Sequence, residues 1–508
     1  MSLNLYYHIV LLLLSGFLFF AVWQSRKSSS KLPPGPRGLP LIGNIHQAPR
    51  RDPWKTFNLW AEEYGPIFSL KYGQRIVIVL GSHKTASDLF SARTKIYSSR
   101  PIIRIQEYLT KGMHMGVMQY TPEWMKLRKT HTFLLSPHYC ARYRQLQDLE
   151  SMQLIYDMLE TDSFSKQFRR YTASLGFALA YGTRIQRDDA EEIDQIERIA
   201  KVTDRFFSHG ISLVLEMFPC VHDLWPVMLP LQKICDAFHQ STVEYFTTCM
   251  RAALQKGSWN WINAALEFPD TQTMSEITRV YNIGVLQEAA LETTQSALNA
   301  FVLASVLNPA AVCKVQEELD KEVGDSRLPG FDDMTSLPYT QAFIKETLRW
   351  CPVAPLGAPH SNTEVDEYMG YEIPKGAVIV PNIWGMHRDP EIYHRPNDFL
   401  PERWLEQPDL PLSVFGFGKR ICVGQELAMN SLFIIVSRML WAFQISPASV
   451  GGRNVAIDPE NMIQSIISGP SPFEASFTVR DSLRAQIIRV KWISSTAALD
   501  VPNFPLMD

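Results

Sequence analysis

In the run FGFGKRICVG, residues 415–424, one cysteine, Cys422, sits among Gly416, Gly418 and Gly424, directly after Lys419, Arg420 and Ile421. Small residues let the backbone turn tightly and approach a flat partner closely. The stretch 425–443 carries Leu427, Ile434, Ile435 and Leu440 along one side, the period of a helix. A helix that starts there points partial positive charge and free N–H groups at the sulfur, favouring thiolate over thiol. The pattern places Cys422 as an axial metal ligand beneath a flat macrocycle, in preference to core filling.

Three further pairs could do chemistry. Glu346 and Arg349 are three apart on an expected helix over 341–350, ended by Pro352, and so share one face. In EAALETT, 288–294, the small Ala289 and Ala290 would admit a flat cofactor and dioxygen to a helix backbone. Glu292 and Thr293 put an acid and a hydroxyl at the same place, a pair suited to proton relay. In EWMKLRK, Trp124 and Arg128 are four apart, so one helix face presents an indole N–H and a guanidinium to an anion.

Position by position, FGFGKRICVG resembles the haem-binding loop of the cytochromes P-450, with its Phe, two glycines, Arg and Cys. The resemblance runs in order from about residue 32 to about residue 480. It implies haem b with the Cys422 thiolate on its iron, a ligand that promotes O–O cleavage. It implies that Arg403, in FLPERW, joins Glu346 and Arg349 in a buried cluster that locks the core around the cysteine loop. Glu292 and Thr293 would form the proton path, with Ala290 where the family usually carries Gly. Arg100 in SSRP, Trp124, Arg128, His360 in APH, Phe415 and Arg420 would hold the haem and its propionates.

LPPGPRGLPLIGN and IPKGAVIVPNIWGMHRDP resemble, more finely, the fungal membrane-bound members of secondary metabolism. The implied activity is a monooxygenase that inserts one oxygen atom from O2 into a hydrophobic, polycyclic metabolite such as an indole alkaloid, polyketide or terpenoid. Desaturation or oxidative coupling at the same site, and an oxygen-independent haem-thiolate lyase or isomerase, stand as alternatives. A non-catalytic haem sensor would need an output module, and no such segment is visible. The chain has no room for flavin domains, so electrons from NADPH would arrive through a separate NADPH–cytochrome reductase, with cytochrome b5 as a candidate second donor. Lys126, Lys129 and Lys419 are the expected basic docking patch. Substrate contacts are expected from 101–119, 206–231, 286–290, 353–357, Ile466 and Ile467, which are apolar with few charges.

Seen whole, the chain has 508 residues, 46% hydrophobic, enough for a large core, and shows no linker after residue 45 and no fixed repeat. The expectation is a mainly α fold with small β-sheets, one large cytochrome P-450-type domain around a buried haem. Residues 1–25 read as a membrane anchor, 26–45 as a basic, Pro-rich hinge, 46–495 as the catalytic domain and 496–508 as a tail. Residues 5–23 are nearly uninterrupted apolar and would span about 28 Å as a helix. Arg26, Lys27, Lys31 and Arg37 follow, which predicts a single pass of the endoplasmic reticulum membrane, luminal N-terminus and cytosolic domain. Net charge −3 gives no basic field for nucleic acid. Seven cysteines without CxxC spacing argue against a zinc cluster or a disulfide framework, and the six besides Cys422 read as buried apolar residues. One long helix is expected over 274–307, an amphipathic helix over 311–323, and a hairpin over 371–380 around Pro374-Lys375-Gly376.

Overall fold

Apolar residues recur through IFSLKY and RIVIVL, and the two runs pair antiparallel as β1 (Ile67–Tyr72) and β2 (Arg75–Leu80), with Phe68 opposite Val79 and Leu70 opposite Val77. The computed structural model describes residues 31–208, 225–256 and 258–496. Helix α1 (Pro53–Tyr64) lays Phe57 on Phe68, Leu70 and Val79 of this hairpin. The sheet is completed by β3 (His360–Ser361) and β6 (Val378–Pro381), in the order β1-β2-β6-β3, with β2 and β6 parallel.

The hairpin expected over 371–380 does not form. Strand β5 (Tyr371–Ile373) pairs back onto β4 (Asp366–Tyr368), while β6 joins the larger sheet. The turn is Met369-Gly370, both at positive φ (54° and 79°), a two-residue geometry whose twist matches the strands it joins.

The body of the molecule is helical: α2 (Pro122–Leu134), α3 (Pro137–Asp157), α4 (Phe164–Tyr181), α5 (Trp225–Lys256), α6 (Glu276–Leu307), α7 (Pro309–Glu322), α8 (Pro338–Trp350), α9 (Gln425–Ala442) and α10 (Ser482–Thr496). Helix α6 starts two residues later than expected because the Ser275 hydroxyl accepts from the Thr278 N–H at 3.1 Å and caps it. At about 1.5 Å per residue α6 crosses the whole core, with α4 and α5 packed against it. Gly284 allows the closest of these approaches: any Cβ there would overlap the Phe246 ring of α5. A short antiparallel pair, β7 (Phe443–Pro447) and β8 (Ala475–Val479), follows α9. The result is mainly α with small sheets, in a single domain.

The Pro-rich segment is docked. Pro34 O accepts from Ser69 N–H at 2.8 Å, Asn44 N–H donates to Lys71 O at 2.6 Å, and Asn44 is buried. It extends the edge of β1.

The N-terminal membrane helix expected over 5–23 is not found. That stretch lies outside the described residues, and among the described residues no single helix is long and apolar enough to cross a membrane. Among them only α6 with α7 passes together by length and composition; the two are bent by 104°, and α6 is buried in the core over 280–287 and most of 297–305. The endoplasmic reticulum location and bilayer contact expected from that helix have no support among the described residues. The cysteine reading is corrected as well: Cys140, Cys235 and Cys351 are buried, but Cys313 is exposed and Cys249 half-buried, while Cys220 lies outside the described residues.

Candidate active site

The cysteine loop is held from below by its own backbone: Cys422 N–H donates to Phe415 O at 2.8 Å, and Gly416 N–H to Ser413 O at 2.9 Å. Gly418, at φ +55°, lies so close to the Phe90 carbonyl that any side chain there would overlap it. Gly424, by contrast, has an ordinary φ of −85° and caps α9. Cys422 is exposed although the protein surrounds it, so its sulfur faces an interior space. Burial is the largest influence and pushes the thiol up. The Gly424 N–H and the Arg128 charge pull against that shift without overcoming it. A coordinated metal cation would deprotonate this sulfur outright.

Beside the sulfur, Arg100, Arg128 and Arg420 converge. Arg128 donates to Ile421 O at 2.5 Å, Arg420 to Ser98 O and Met118 O at 2.7 Å, and Arg100 to Ala358 O and Pro359 O at 2.7 and 2.8 Å. No carboxylate among the described residues bears on any of the three. Burial and the Arg100 and Arg128 charges push Arg420 down to about 8, and burial alone pushes Arg100 to about 10. The Arg420 guanidinium lies 3.9 Å from the centroid of the Trp124 ring, whose indole N–H is buried without a partner. Three desolvated cations and an orphaned donor beside an inward-facing sulfur fit a flat, dianionic metal macrocycle, as haem b is.

His360 reaches the same wall, stacked on Phe90 at 4.0 Å, but its Nδ1 lies 2.7 Å from Tyr97 O. Burial, with Arg100, holds the ring well below its ordinary pKa, so it is neutral with its proton on Nδ1. Nε2 then carries a lone pair and donates nothing to a carboxylate.

Away from its two ends, α6 is most open in its middle. Ala289 is exposed there, and Glu288, Ala290, Glu292 and Thr293 are half-buried, between stretches of helix that are buried. The Thr293 hydroxyl donates to Ala289 O at 2.8 Å, and α6 is helical throughout, with Ala290 in place. Glu292 and Thr293 thus lie on the partly open turn of α6.

Behind the cysteine loop, Glu346 and Arg349 of α8 are fully buried and joined at 2.7 and 2.9 Å, with Arg403 Nε 3.2 Å from Glu346. Sequence reasoning missed two members. Trp404 donates its indole N–H to Glu346 at 2.9 Å, and His387 offers its carbonyl to Arg349 at 2.8 Å and its Nε2 to Ser413 N–H at 3.0 Å. Trp404 adjoins Arg403 in FLPERW and could have been read with it; nothing near His387 signals its contact.

Of the expected docking lysines, Lys129 pairs with Asp270 at 2.7 Å, Lys126 reaches Thr273, and Lys419 donates to the Tyr120 hydroxyl at 2.7 Å. Of the expected substrate regions, 209–224 lies outside the described residues.

The fold and the site together define a haem-thiolate protein. The cytochrome P450 family profile matches residues 33–477. The chain is 41% identical to the cytochrome P450 monooxygenase peniB of Penicillium patulum, over 90% of this chain and 86% of that protein. It is 40% identical to the monooxygenase aneD of Aspergillus aculeatus, over 93% and 92%. It is 39% identical to the echilunin cytochrome P450 monooxygenase of Aspergillus ruber, over 94% and 90%. A solved structure of a zebra fish cytochrome P450 with abiraterone shares the fold, at TM-score 0.70 and 23% identity over 85% of this chain and all of that one. The chain belongs to the cytochrome P450 family. It is an oxidoreductase, a haem-thiolate monooxygenase of fungal secondary metabolism that draws electrons from NADPH through a reductase.

Proposed function

We propose that this monooxygenase hydroxylates a hydrophobic, polycyclic secondary metabolite of the indole alkaloid, polyketide or terpenoid kind. The observation that carries the reading is the inward-facing Cys422 sulfur with Arg100, Arg128 and Arg420 beside it, and we assign the partly open turn of α6 at Ala289, with Glu292 and Thr293, to the opposite wall. Val285, Leu286 and Ala290 adjoin that turn along the helix and are apolar, which suits a substrate bound mainly by desolvation. Haem b, when bound, supplies the iron at which dioxygen is activated.

The chain's own residues then have distinct tasks. Cys422 would ligate the iron. Arg100, Arg128 and Arg420 would neutralise the propionates, Trp124 would donate its indole N–H to one of them, and Phe415 would close the cysteine loop. Glu346, Arg349 and Arg403 hold the wall behind the cysteine loop. Glu292 and Thr293 deliver protons, and for this Thr293 must turn its hydroxyl away from Ala289 O. Lys126, Lys129 and Lys419 form the face offered to an acidic electron donor, and Lys129 must release Asp270 to take part.

The experiment supplies the protein with reductase, NADPH, labelled dioxygen and an extract of its source, and searches for labelled product by mass spectrometry. A labelled product that depends on NADPH supports hydroxylation and identifies the substrate. An unlabelled product that still needs NADPH replaces hydroxylation by desaturation or coupling. A product formed without NADPH makes the lyase or isomerase reading the correct one.

A further inference from the structure

Where α2 packs against α6, the side chains border a small polar cavity. Leu127, Thr130 and His131 of α2 and Arg279, Asn282 and Ile283 of α6 leave about 10 Å3 there for the centre of a water-sized molecule, about one water's worth. Three polar atoms of that lining are buried without a hydrogen-bond partner among the described residues: His131 Nε2, Arg279 Nε and Asn282 Oδ1. His131 is 4% exposed and Asn282 2%. Each of the three side chains is fixed by another bond. Arg279 Nη1 donates to Leu266 O at 2.8 Å, and Asn282 Nδ2 donates to Thr278 O at 2.8 Å and to Met113 O at 3.2 Å. Both partners of Asn282 Nδ2 are carbonyls, so the amide has one orientation and its oxygen is the atom left unpaired. His131 hydrogen-bonds the Asn282 backbone, and burial, then the Arg128 charge, holds its ring at about 4. Nε2 is the nitrogen without a partner, so Nδ1 carries the proton of this neutral ring and Nε2 accepts.

The lining therefore offers one donor, Arg279 Nε–H, and two acceptors. An anion would meet both acceptors, and a metal cation would meet the guanidinium. A neutral molecule that accepts one hydrogen bond and donates two matches the set, and at this size that molecule is water. Resting on the propionate roles proposed above, we infer that a single buried water bridges His131, Arg279 and Asn282, and that through it His131 is a positioning residue for the cations that hold the haem propionates. His131 stands three residues after Arg128 on α2, the helix that also carries Trp124. Asn282 holds the 111–120 loop by its Met113 carbonyl, and the same loop gives Gly116 O to Arg100 at 3.1 Å and Met118 O to Arg420 at 2.7 Å. The water ties the helix bearing Trp124 and Arg128 to the residue that anchors the loop fixing Arg100 and Arg420.

A crystal structure of the full-chain holoprotein, at a resolution that shows ordered water, is expected to place one peak within hydrogen-bond distance of all three atoms. No peak there overturns the site. Three substitutions test the positioning. His131→Gln keeps an acceptor near the place of Nε2, His131→Asn keeps only a donor near the place of Nδ1, and His131→Leu keeps neither. His131→Leu and His131→Asn are expected to release haem to apomyoglobin about tenfold faster than wild-type protein, the order of one buried hydrogen bond. They should also shift the propionate bending bands of the resonance Raman spectrum, while His131→Gln leaves both readouts near wild type. The opposite ranking, with Asn the better substitute, would reduce His131 to its backbone tie and overturn the positioning role. Unchanged release and bands in all three variants would overturn it too. Arg128→Gln is the control: if it also leaves the bands unchanged, the failure lies in the propionate roles themselves, and the positioning falls with them.

Discussion

The imidazole Nε2 of His387 accepts the backbone N–H of Ser413 at 3.0 Å, and this bond ties the buried ion cluster to the cysteine loop. The carbonyl of the same histidine accepts from Arg349 at 2.8 Å. Ser413 in turn gives its carbonyl to Gly416 N–H at 2.9 Å and its hydroxyl to His83 at 2.8 Å. An imidazole accepts at Nε2 only when neutral with its proton on Nδ1. Burial, followed by the Arg349 charge, pushes His387 down to about 3 and keeps it in that state.

Stability should therefore fall as pH drops below about 6.5. His387 and His131, held at about 3 and about 4 chiefly by burial, stay neutral in the folded state while the unfolded chain takes up protons. A histidine depressed on folding loses on the order of 1.4 kcal/mol of stability per pH unit below its unfolded pKa. Urea midpoints between pH 7 and pH 5 should show this slope, and His387→Gln should flatten it by about a quarter, because His114, His131 and His360 are depressed with it. The same slope in the variant would remove His387 from the account.

Arg349→Ala should yield protein that does not retain haem. The change strands the Glu346 carboxylate in a site without water and frees the carbonyls of His387, Pro396 and Asp398. Removing one member of such a buried pair costs about 3–5 kcal/mol. Holoprotein yield from the carbon monoxide spectrum checks it, and a normal yield would refute the role assigned to the cluster.

Trp124→Phe makes a sharper prediction because its two effects differ in sign. The indole N–H is buried without a partner, so its removal should leave the stability of the haem-free chain unchanged or slightly higher. Haem retention, measured by transfer to apomyoglobin, should weaken about tenfold, the worth of a hydrogen bond to a charged group. Equal retention would show that the indole never meets a propionate.

Thr293→Ala should leave haem binding intact and separate NADPH consumption from product formation. The Thr293 hydroxyl bonds only to Ala289 O of its own helix, so the fold loses little, while the proton path loses its alcohol. The ratio of product to NADPH oxidised is the readout. An unchanged ratio would take Thr293 out of the relay.

The chemistry-bearing residues were legible because their spacing is local. The sequence by itself determined the cysteine loop with α9 behind it, the long α6 ended by Asn308-Pro309, and the Glu346–Arg349 pair. In each the partners lie within a turn or two of chain, and helix period and backbone geometry decide the outcome. The tertiary structure alone decided the tie from His387 to Ser413, the neutral His360 turned toward Tyr97, and the docking of the Pro-rich segment on β1. It also set the Met369-Gly370 turn in place of a hairpin at Pro374. Each of these turns on which of several compatible neighbours a group meets. That depends on sheet twist, on burial, and on packing between segments that are remote in the chain, none of which has a period to read.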